Sequence, residues 1–236
     1  MKIETIKTDK ITKGHTIYEV LDQFLREFND RSVLAVTSKI ISVCEGNVVE
    51  IGEIDKQKLI QKEADFMIKS KNKYDIPLTI KNDILIPLAG IDESNGDGKY
   101  ILWPRDPQSS ANQIRQHLIE RFGIKHAGVI ITDSKTSPLR WGTTGVAIAH
   151  SGFKALNDYR GKLDLFDRPL EVSQANIADG LAASAVVAMG EGNEQTPMAI
   201  IEDLPFVKFQ DRNPSDNELQ SLIISKEDDL YNSIYK

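Results

Sequence analysis

The chain has 236 residues, of which 35 are acidic and 29 basic, giving a net charge of −6 at pH 7. Hydrophobic residues make up 40% and charged residues 27%, which excludes a disordered or collagen-like chain. The single cysteine, Cys44, excludes an intrachain disulfide, and the lack of a basic excess argues against nucleic acid or an anionic membrane as partner. No apolar run approaches the roughly 20 residues of a membrane span, and Met1–Lys13 is polar, so we predict a soluble cytoplasmic protein.

Hydrophobic spacing predicts the elements of the first half of the chain. Residues 16–28 are predicted to form a helix because apolar side chains recur on one face, and Thr16 with Glu19 matches a capping box. The continuous apolar run within 32–38 predicts a buried strand. The remaining predictions in this half are a helix over 55–68, two strands within 76–87 around a turn at 81–83, and a long polar loop over 90–110.

In the second half, Ser110 and Gln113 match another capping box, which predicts a helix that begins there. The further predictions, in order, are a strand over 127–132, a polar loop over 133–145, a strand over 146–149, a helix over 173–189 with Gly190 as a left-handed cap, a strand over 198–201 and a mostly helical tail over 215–236. Because helices and strands do not alternate strictly, we predict an α+β (mixed α/β) fold. Neither a P-loop nor a Rossmann glycine motif is present.

Three oxygen-rich turns that follow apolar segments carry the candidate chemistry. They lie at 89–95, 131–134 and 189–194. Their carboxylate and hydroxyl oxygens are the ligands that Mg²⁺ prefers, and backbone N–H groups in glycine turns can bind phosphate oxygens. The same residue types are also common in ordinary turns. Composition and spacing therefore leave two interpretations open, a metal–nucleotide site and a set of plain turns.

Several runs of sequence together resemble one known family in order and spacing. The runs are GIDESN, RDPQSSANQIR, GVIITDS, LRWGTTGVAIAHSG, DYRGKLDLFDRPLEV and MGEGNEQTP. They resemble the coenzyme F-420-0:L-glutamate gamma-glutamyl ligases over nearly the whole chain. The resemblance implies a single two-lobed domain over 1–236 that works as a homodimer. It also implies a GTP-dependent ligase that uses Mg²⁺ or Mn²⁺, sometimes with K⁺, to join the amine of L-glutamate to a carboxylate of a small coenzyme acceptor.

The resemblance also implies roles for individual residues. The implied metal ligands are Asp92, Asp133, Ser134 and Glu191. The implied nucleotide contacts are Ser38, Asn95, Met189, Gly190, Gly192 and Asn193. Independently of the resemblance, Arg140 follows Asp133 in the same predicted loop and is a catalytic candidate, because a guanidinium can clamp a phosphate or carboxylate through two hydrogen bonds. The alternative for Arg140 is an ordinary solvated surface arginine.

Three departures from the family pattern keep other interpretations open. Val43 stands where many members have a nucleotide-binding lysine, and Lys39 is a candidate replacement, although an extended backbone would point it elsewhere. Residues 8–11 replace a Leu-Pro nucleotide segment, so the base stays open between GTP and ATP. His150 replaces a glycine and is interpreted as a residue packed at a strand end. The alternatives are a folate gamma-glutamyl ligase, a non-catalytic nucleotide-binding relative and a flavin-type protein.

Overall fold

The computed structural model of the chain describes residues 1–69 and 72–235. The strands are β1 (Lys2–Ile6), β2 (Ser32–Thr37), β3 (Val48–Glu50), β4 (Phe66–Ile68), β5 (Leu78–Lys81), β6 (Ile84–Pro87), β7 (Lys99–Ile101), β8 (Ala127–Thr136), β9 (Thr143–Ser151), β10 (Leu156–Asp158), β11 (Gln174–Asn176) and β12 (Met198–Glu202). The helices are α1 (Ile17–Phe24), α2 (Ser38–Cys44), α3 (Lys56–Glu63), α4 (Pro107–Phe122), α5 (Ile177–Met189) and α6 (Asp216–Gln220). The predicted α+β class is confirmed.

A five-stranded sheet in the order β1-β12-β2-β8-β9 forms the centre of the molecule. Strands β2 and β8 run parallel, and the other neighbours in this sheet run antiparallel. Leu34 and Val36 of β2 pack with α1, α2 and α4 on one face, whereas Val33 and Ala35 pack with α5 on the other. Because both faces of β2 are covered, the strand reads as a continuous apolar run, and the predicted strand is confirmed.

A smaller apolar cluster lies beside the central sheet. It contains Leu59 and Ile60 of α3, Tyr100 of β7 and the neighbouring Ile91 and Leu102. Around it the chain forms the three-stranded sheet β4-β5-β6 and the pair β3-β7. The organisation of the chain as one bilobal domain over 1–236 stays a prediction. Within the residues that the structure describes, no helix combines the length and apolarity needed to cross a lipid bilayer.

The helices α1 and α3 end earlier than predicted. Helix α1 stops at Phe24, yet Leu25 and Phe28 remain buried, so the apolar spacing continued past the helix. Helix α3 stops at Glu63, and residues 66–68 form β4, in which Phe66 pairs with Ile80 of β5. In both cases tertiary contacts bury side chains that helical spacing alone had assigned to a helix.

The capping box at the start of α1 is confirmed, and it supports a stability prediction. The Thr16 hydroxyl accepts a hydrogen bond from the Glu19 amide at 3.2 Å, and the Glu19 carboxylate accepts one from the Thr16 amide at 2.7 Å. We expect Thr16→Ala to lower the free energy of unfolding by about 1 kcal/mol, because a backbone donor loses its partner. Urea denaturation measures this change, with the exposed Thr12→Ala as control. Equal midpoints for the two variants would contradict the prediction.

The start of α4 differs from the prediction for a local reason. Asp106 is the N-cap and accepts a hydrogen bond from the Ser109 amide at 2.8 Å, while Pro107 occupies the first turn. Proline fixes the backbone angle that a first helical turn requires. The helix therefore begins before Ser110, and the predicted capping box of Ser110 with Gln113 is wrong.

The predicted polar loop over 133–145 is also wrong. Strand β8 continues to Thr136 and pairs with β9 as a hairpin, in which Ser134 lies opposite Gly145 and Thr136 opposite Thr143. Hydrogen bonds between the two strands satisfy the backbone N–H and C=O groups of these polar residues. The residues can therefore be extended without an alternating apolar pattern. The predicted loop over 90–110 likewise contains β7, which pairs with β3.

The remaining differences are short strands, the tail and the end of α5. The strands β1, β3, β10 and β11 were not predicted; each pairs with a segment elsewhere in the chain, which local patterns do not encode. Because β11 takes up residues 174–176, the helix predicted over 173–189 begins only at Ile177. The tail contains the short α6 and a 3₁₀ turn at Asn232–Tyr235, so it is less helical than predicted. Gly190 has φ 84° and ψ 167°, so it is not a left-handed cap, and the chain leaves α5 in an extended path.

Candidate nucleotide and metal site

The predicted site residues come from segments that meet at one edge of the central sheet. The parallel strands β2 and β8 end side by side, with Thr37 paired to Thr132. Strand β12 is antiparallel to β2, so the chain enters it at this same edge, and the Thr37 amide donates to the Pro197 carbonyl at 3.0 Å. Ligands commonly bind beyond the carboxyl ends of parallel strands. The start of α2, residues 133–134 and the turn after α5 are therefore neighbours.

Lys39 links the start of α2 to the 91–96 turn. Its ammonium lies 2.7 Å from the Asp92 carboxylate and also donates to the hydroxyl and carbonyl of Ser94, at 2.9 and 3.0 Å. The alternation argument that pointed Lys39 elsewhere was wrong, because residues 38–44 are helical rather than extended. Ser38 is buried at the first position of this helix.

The 91–96 turn holds Asp92 as a charged group. Burial raises the pKa of Asp92, but the Lys39 ammonium and the hydrogen bonds from Ser94 outweigh it and place that pKa below the ordinary value. The Ser94 amide donates to the carboxylate at 2.6 Å. In the same turn, the Asn95 side-chain amide donates to the Gly192 carbonyl at 3.0 Å. This turn therefore contacts both α2 and the turn after α5.

Asp133 has the opposite electrostatic character. Burial, with a smaller effect of the Asp92 carboxylate, raises the pKa of Asp133 to about 6, although hydrogen bonds from Trp103 and the Ser134 amide, and the Lys39 charge, act in the opposite direction. The indole N–H of the buried Trp103 donates to one Asp133 oxygen at 2.5 Å and orients the carboxylate. Gly90, with φ +71°, lies against this indole, and a Cβ there would come within 2.1 Å of the indole nitrogen. A side chain at position 90 would therefore displace Trp103 and the group it orients.

Glu191, in the turn after α5, contacts the β8–β9 hairpin. Its carboxylate accepts hydrogen bonds from the hydroxyls of Ser134 and Thr143, at 2.7 and 3.2 Å. In the same turn the Gly192 amide donates to the Glu194 carboxylate at 2.8 Å. The buried Met189 keeps its carbonyl bonded to the Thr196 hydroxyl at 2.5 Å, while Gly190, Gly192 and Asn193 are exposed.

Arg140 is the one predicted site residue that lies apart. It occupies the tip of the β8–β9 hairpin, beyond the closing pair Thr136–Thr143, and is exposed. Among residues 1–69 and 72–235 its side chain makes no hydrogen bond or ion pair. Three strand residues, about 10 Å, separate Asp133 from Thr136, where the loop that holds Arg140 begins. Its catalytic role stays a prediction.

Sequence reasoning missed three contributors to the site. Ser94 and Thr143 bond the predicted carboxylates, and Trp103 orients Asp133. A signal for Trp103 was present, because the run Tyr100–Trp103 is apolar inside an otherwise polar stretch and is fully buried.

Comparisons with known proteins show the family of the chain. The sequence profile described as F420-0:Gamma-glutamyl ligase matches residues 5–203. The chain belongs to this family. A coenzyme F420:L-glutamate ligase of Methanocaldococcus jannaschii is 34% identical, with 98% of this chain and 97% of that protein aligned. Enzymes of the same name from Methanococcus maripaludis and Archaeoglobus fulgidus are 34% and 33% identical, covering 92% and 82% of this chain and 90% and 84% of theirs.

The family resemblance implies a divalent metal, and the donor chemistry of the site fits one. In the part of the chain that the structure describes, no three His, Cys, Asp or Glu side chains are grouped to hold a metal ion. Magnesium, however, is commonly held by one or two carboxylates, with waters and substrate phosphates as the other ligands. Asp92 and Asp133 are two such carboxylates, and the pKa of Asp133 is raised mainly by burial, with a smaller contribution from the Asp92 charge.

His150 and a surface cavity beside α4 lie outside this site. His150 is buried against Phe153, with ring centroids 5.4 Å apart, and burial lowers its pKa to about 4. This packing agrees with the interpretation of His150 as a residue packed at a strand end. A surface cavity of about 520 Å³ is lined by Arg115, Lys125, Asp211 and neighbouring residues, and it includes none of the predicted site residues.

Proposed function

We propose that this protein is a gamma-glutamyl ligase that adds L-glutamate to a carboxylate of a coenzyme acceptor of the F420-0 type. The proposal includes a nucleoside triphosphate, with GTP as the first choice, and a divalent metal, Mg²⁺ or Mn²⁺. The relatives that align over most of this chain carry the name coenzyme F420:L-glutamate ligase. Potassium assistance and a homodimer are further parts of the proposal, and both come from the family resemblance.

One observation about the geometry carries this proposal. Side-chain contacts join segments that lie far apart in sequence but that the family motifs single out together. Lys39 is paired with Asp92, Asn95 with Gly192, and Ser134 with Glu191. Turns that serve only to reverse the chain do not require such contacts with one another. The arrangement instead supports the metal–nucleotide interpretation.

Amide formation from a carboxylate needs an activated acyl group, which the proposed reaction makes in two steps. An acceptor carboxylate oxygen forms a bond to the γ-phosphorus while the bond to the nucleoside diphosphate breaks, giving an acyl phosphate. The glutamate amine then attacks the acyl carbon, and phosphate leaves with the electron pair of the broken C–O bond. The amine proton goes to solvent or to the leaving phosphate. Both steps depend mainly on positioning and on neutralising phosphate charge.

The residues of the site suit these two tasks. Asp92 and Asp133 would hold the metal, which when bound supplies positive charge beside the phosphate oxygens. Lys39 adds a fixed ammonium at the same place, and its contacts with Ser94 keep it there. Trp103 donates a hydrogen bond to one oxygen of Asp133 and so orients the carboxylate. Phosphate contacts at Gly190, Gly192 and Asn193 stay a prediction, because the two glycine amides donate to the Val186 carbonyl and the Glu194 carboxylate.

A product screen by mass spectrometry tests the proposal. Purified protein is incubated with GTP or ATP, Mg²⁺ plus Mn²⁺, L-glutamate and one acceptor at a time. The acceptors are the unglutamylated deazaflavin coenzyme, dihydropteroate and dihydrofolate. The expected result is that the deazaflavin gains one glutamyl unit and that an equal amount of nucleoside diphosphate forms.

The other results of this screen have defined meanings. A mass gain on a pteridine acceptor alone would replace the deazaflavin with folate and keep the reaction. Equal use of ATP and GTP would remove the base preference. Metal-dependent nucleotide binding without product from any acceptor would contradict the ligase proposal and favour a non-catalytic binder.

A further inference from the structure

An exposed aromatic pair lies beyond the outer end of the candidate site. Trp141, at the tip of the β8–β9 hairpin, is 88% exposed, and Tyr74, in the segment before β5, is 54% exposed. Their rings meet edge to face with centroids 6.4 Å apart. Leu139 beside them is fully exposed. Exposed apolar groups that cluster in this way commonly mark a binding site, whereas single ones are ordinary.

The same two elements that hold this pair also hold the candidate site. Asp133 lies on β8, the first strand of the hairpin, and β6 of the small sheet packs against β8. At the other end of β5 from Tyr74, Lys81 lies over the Trp103 ring, 5.7 Å from its centroid. The hairpin and the small sheet thus meet near Asp133 at one end and at the Tyr74–Trp141 pair at the other.

Two cationic side chains and one acidic neighbour, Asp75, accompany the pair. The Lys73 ammonium lies 4.8 Å from the Tyr74 ring centroid and 6.0 Å from that of Trp141. Arg140 precedes Trp141 and is exposed. The aromatic faces offer a stacking surface to a planar conjugated ring, and the two cations attract an anionic side chain attached to that ring.

We propose that Tyr74 and Trp141 bind the conjugated ring of the acceptor while its carboxylate end reaches the Asp92–Asp133 region. This inference rests on the proposed ligase function and adds the place where the acceptor ring binds. The span fits, because three to five strand residues separate Asp133 from the tip, a distance of about 10–17 Å. A ring joined to a carboxylate through a flexible chain of that length reaches both ends. Lys73 and Arg140 then contact the anionic chain between them.

Binding titrations without nucleotide test this inference directly. A carboxylate-terminated deazaflavin and dihydropteroate are each titrated into the wild type and the Trp141→Ala, Trp141→Phe and Tyr74→Ala variants. Stacking on one aromatic side chain is worth about 1–3 kcal/mol, so we expect each alanine variant to bind about 5- to 150-fold more weakly. Trp141→Phe keeps a ring and is expected to retain most of the affinity. The exposed Tyr231→Ala, in the C-terminal tail, is the matched control.

Turnover separates ring binding from the chemistry. In the alanine variants we expect the acceptor KM to rise by the same factor as the dissociation constant, with kcat and the glutamate KM unchanged. The acceptor whose affinity depends on Trp141 identifies the ring as a deazaflavin or a pteridine. Normal affinity of Trp141→Ala for both rings would overturn the inference while leaving the ligase function standing.

Two further outcomes have assigned meanings. Lack of product from the wild type contradicts the ligase function. The titration still decides the inference on ring binding, which is overturned if the wild type and the alanine variants bind the acceptor equally well or if none of them binds it. Self-association that disappears in Trp141→Ala, with acceptor affinity unchanged, would show that the pair is a contact between copies of the chain and would also overturn it.

Discussion

Asp92→Asn and Asp133→Asn are each expected to reduce glutamyl transfer by about 10²–10³-fold. Each change removes one negative charge from the edge where phosphate and metal charges are to be balanced, and losing one such preorganised group typically costs this much in kcat. The asparagine is nearly isosteric, so packing around both positions is preserved. Product formation by mass spectrometry, at saturating glutamate and acceptor, measures the effect.

A control from the same turn makes this expectation sharp. Asp97 lies five residues after Asp92 in an exposed position. Asp97→Asn removes the same charge from the same turn without touching Lys39 or Asp133, so its turnover should equal that of the wild type. Wild-type turnover in Asp92→Asn, or an equal loss in Asp97→Asn, would show that the two carboxylates do not do the work assigned to them.

Nucleotide binding separates a loss of chemistry from a loss of fold in these variants. Without Asp92 the Lys39 ammonium keeps its two contacts with Ser94, so the start of α2 should stay in place. Metal-independent nucleotide binding should therefore survive, while the increase in affinity on adding Mn²⁺ should shrink. A variant that has lost all nucleotide binding together with its cooperative unfolding transition would instead be a folding defect.

The sequence predicts the fold best where local chemistry decides it. The turn between β5 and β6 was predicted because Asn82 and Asp83 tolerate the positive φ angles, 47° and 59°, that a tight hairpin requires. Strand β2 was predicted because burial on both faces leaves a continuous apolar run. The Thr16 capping box depends on residues within one helical turn, so spacing alone identified it.

The sequence predicts poorly where partners distant in the chain decide the structure. The β8–β9 hairpin extends through polar residues because the ladder satisfies their backbone groups, and no periodic pattern announces it. Trp103 orients Asp133 from thirty residues away. For the segments that meet at the site, spacing alone left open whether they form a metal–nucleotide site or plain turns, and the family resemblance favoured the first. Only the structure identifies which side chains are in contact, such as Lys39 with Asp92.

The two carboxylates of the site should affect stability in opposite directions. Asp92 is charged and paired, so it stabilises the fold, and its contribution is present above its unfolded pKa and is lost as the pH falls. Asp133 is a carboxylate whose ionisation the fold opposes, with a pKa of about 6 against an ordinary 3.8. The folded state therefore binds more protons than the unfolded state between these values. Stability arising from Asp133 falls as the pH rises through this window.

Asp133→Asn is accordingly expected to raise the free energy of unfolding of the metal-free protein above pH 6. The pKa difference corresponds to about 3 kcal/mol at most, and partial solvent contact reduces the expected gain to about 1–2 kcal/mol. The gain should vanish below pH 4, where both states are protonated. Urea denaturation at pH 4, 6 and 8 measures it, and Asp92→Asn should lose stability at pH 8.

Comparing Asp92→Asn with Asp133→Asn tests whether the site lowers the free energy of unfolding of the metal-free protein. Binding positions typically hold a carboxylate whose charged form is unfavourable in the folded protein. The free-energy cost of that charge is relieved only when a divalent cation binds. Adding Mn²⁺ should therefore raise the stability of the wild type at pH 8 and have less effect on Asp133→Asn. Equal stability of Asp133→Asn and the wild type at every pH would show that Asp133 is an ordinary solvated carboxylate.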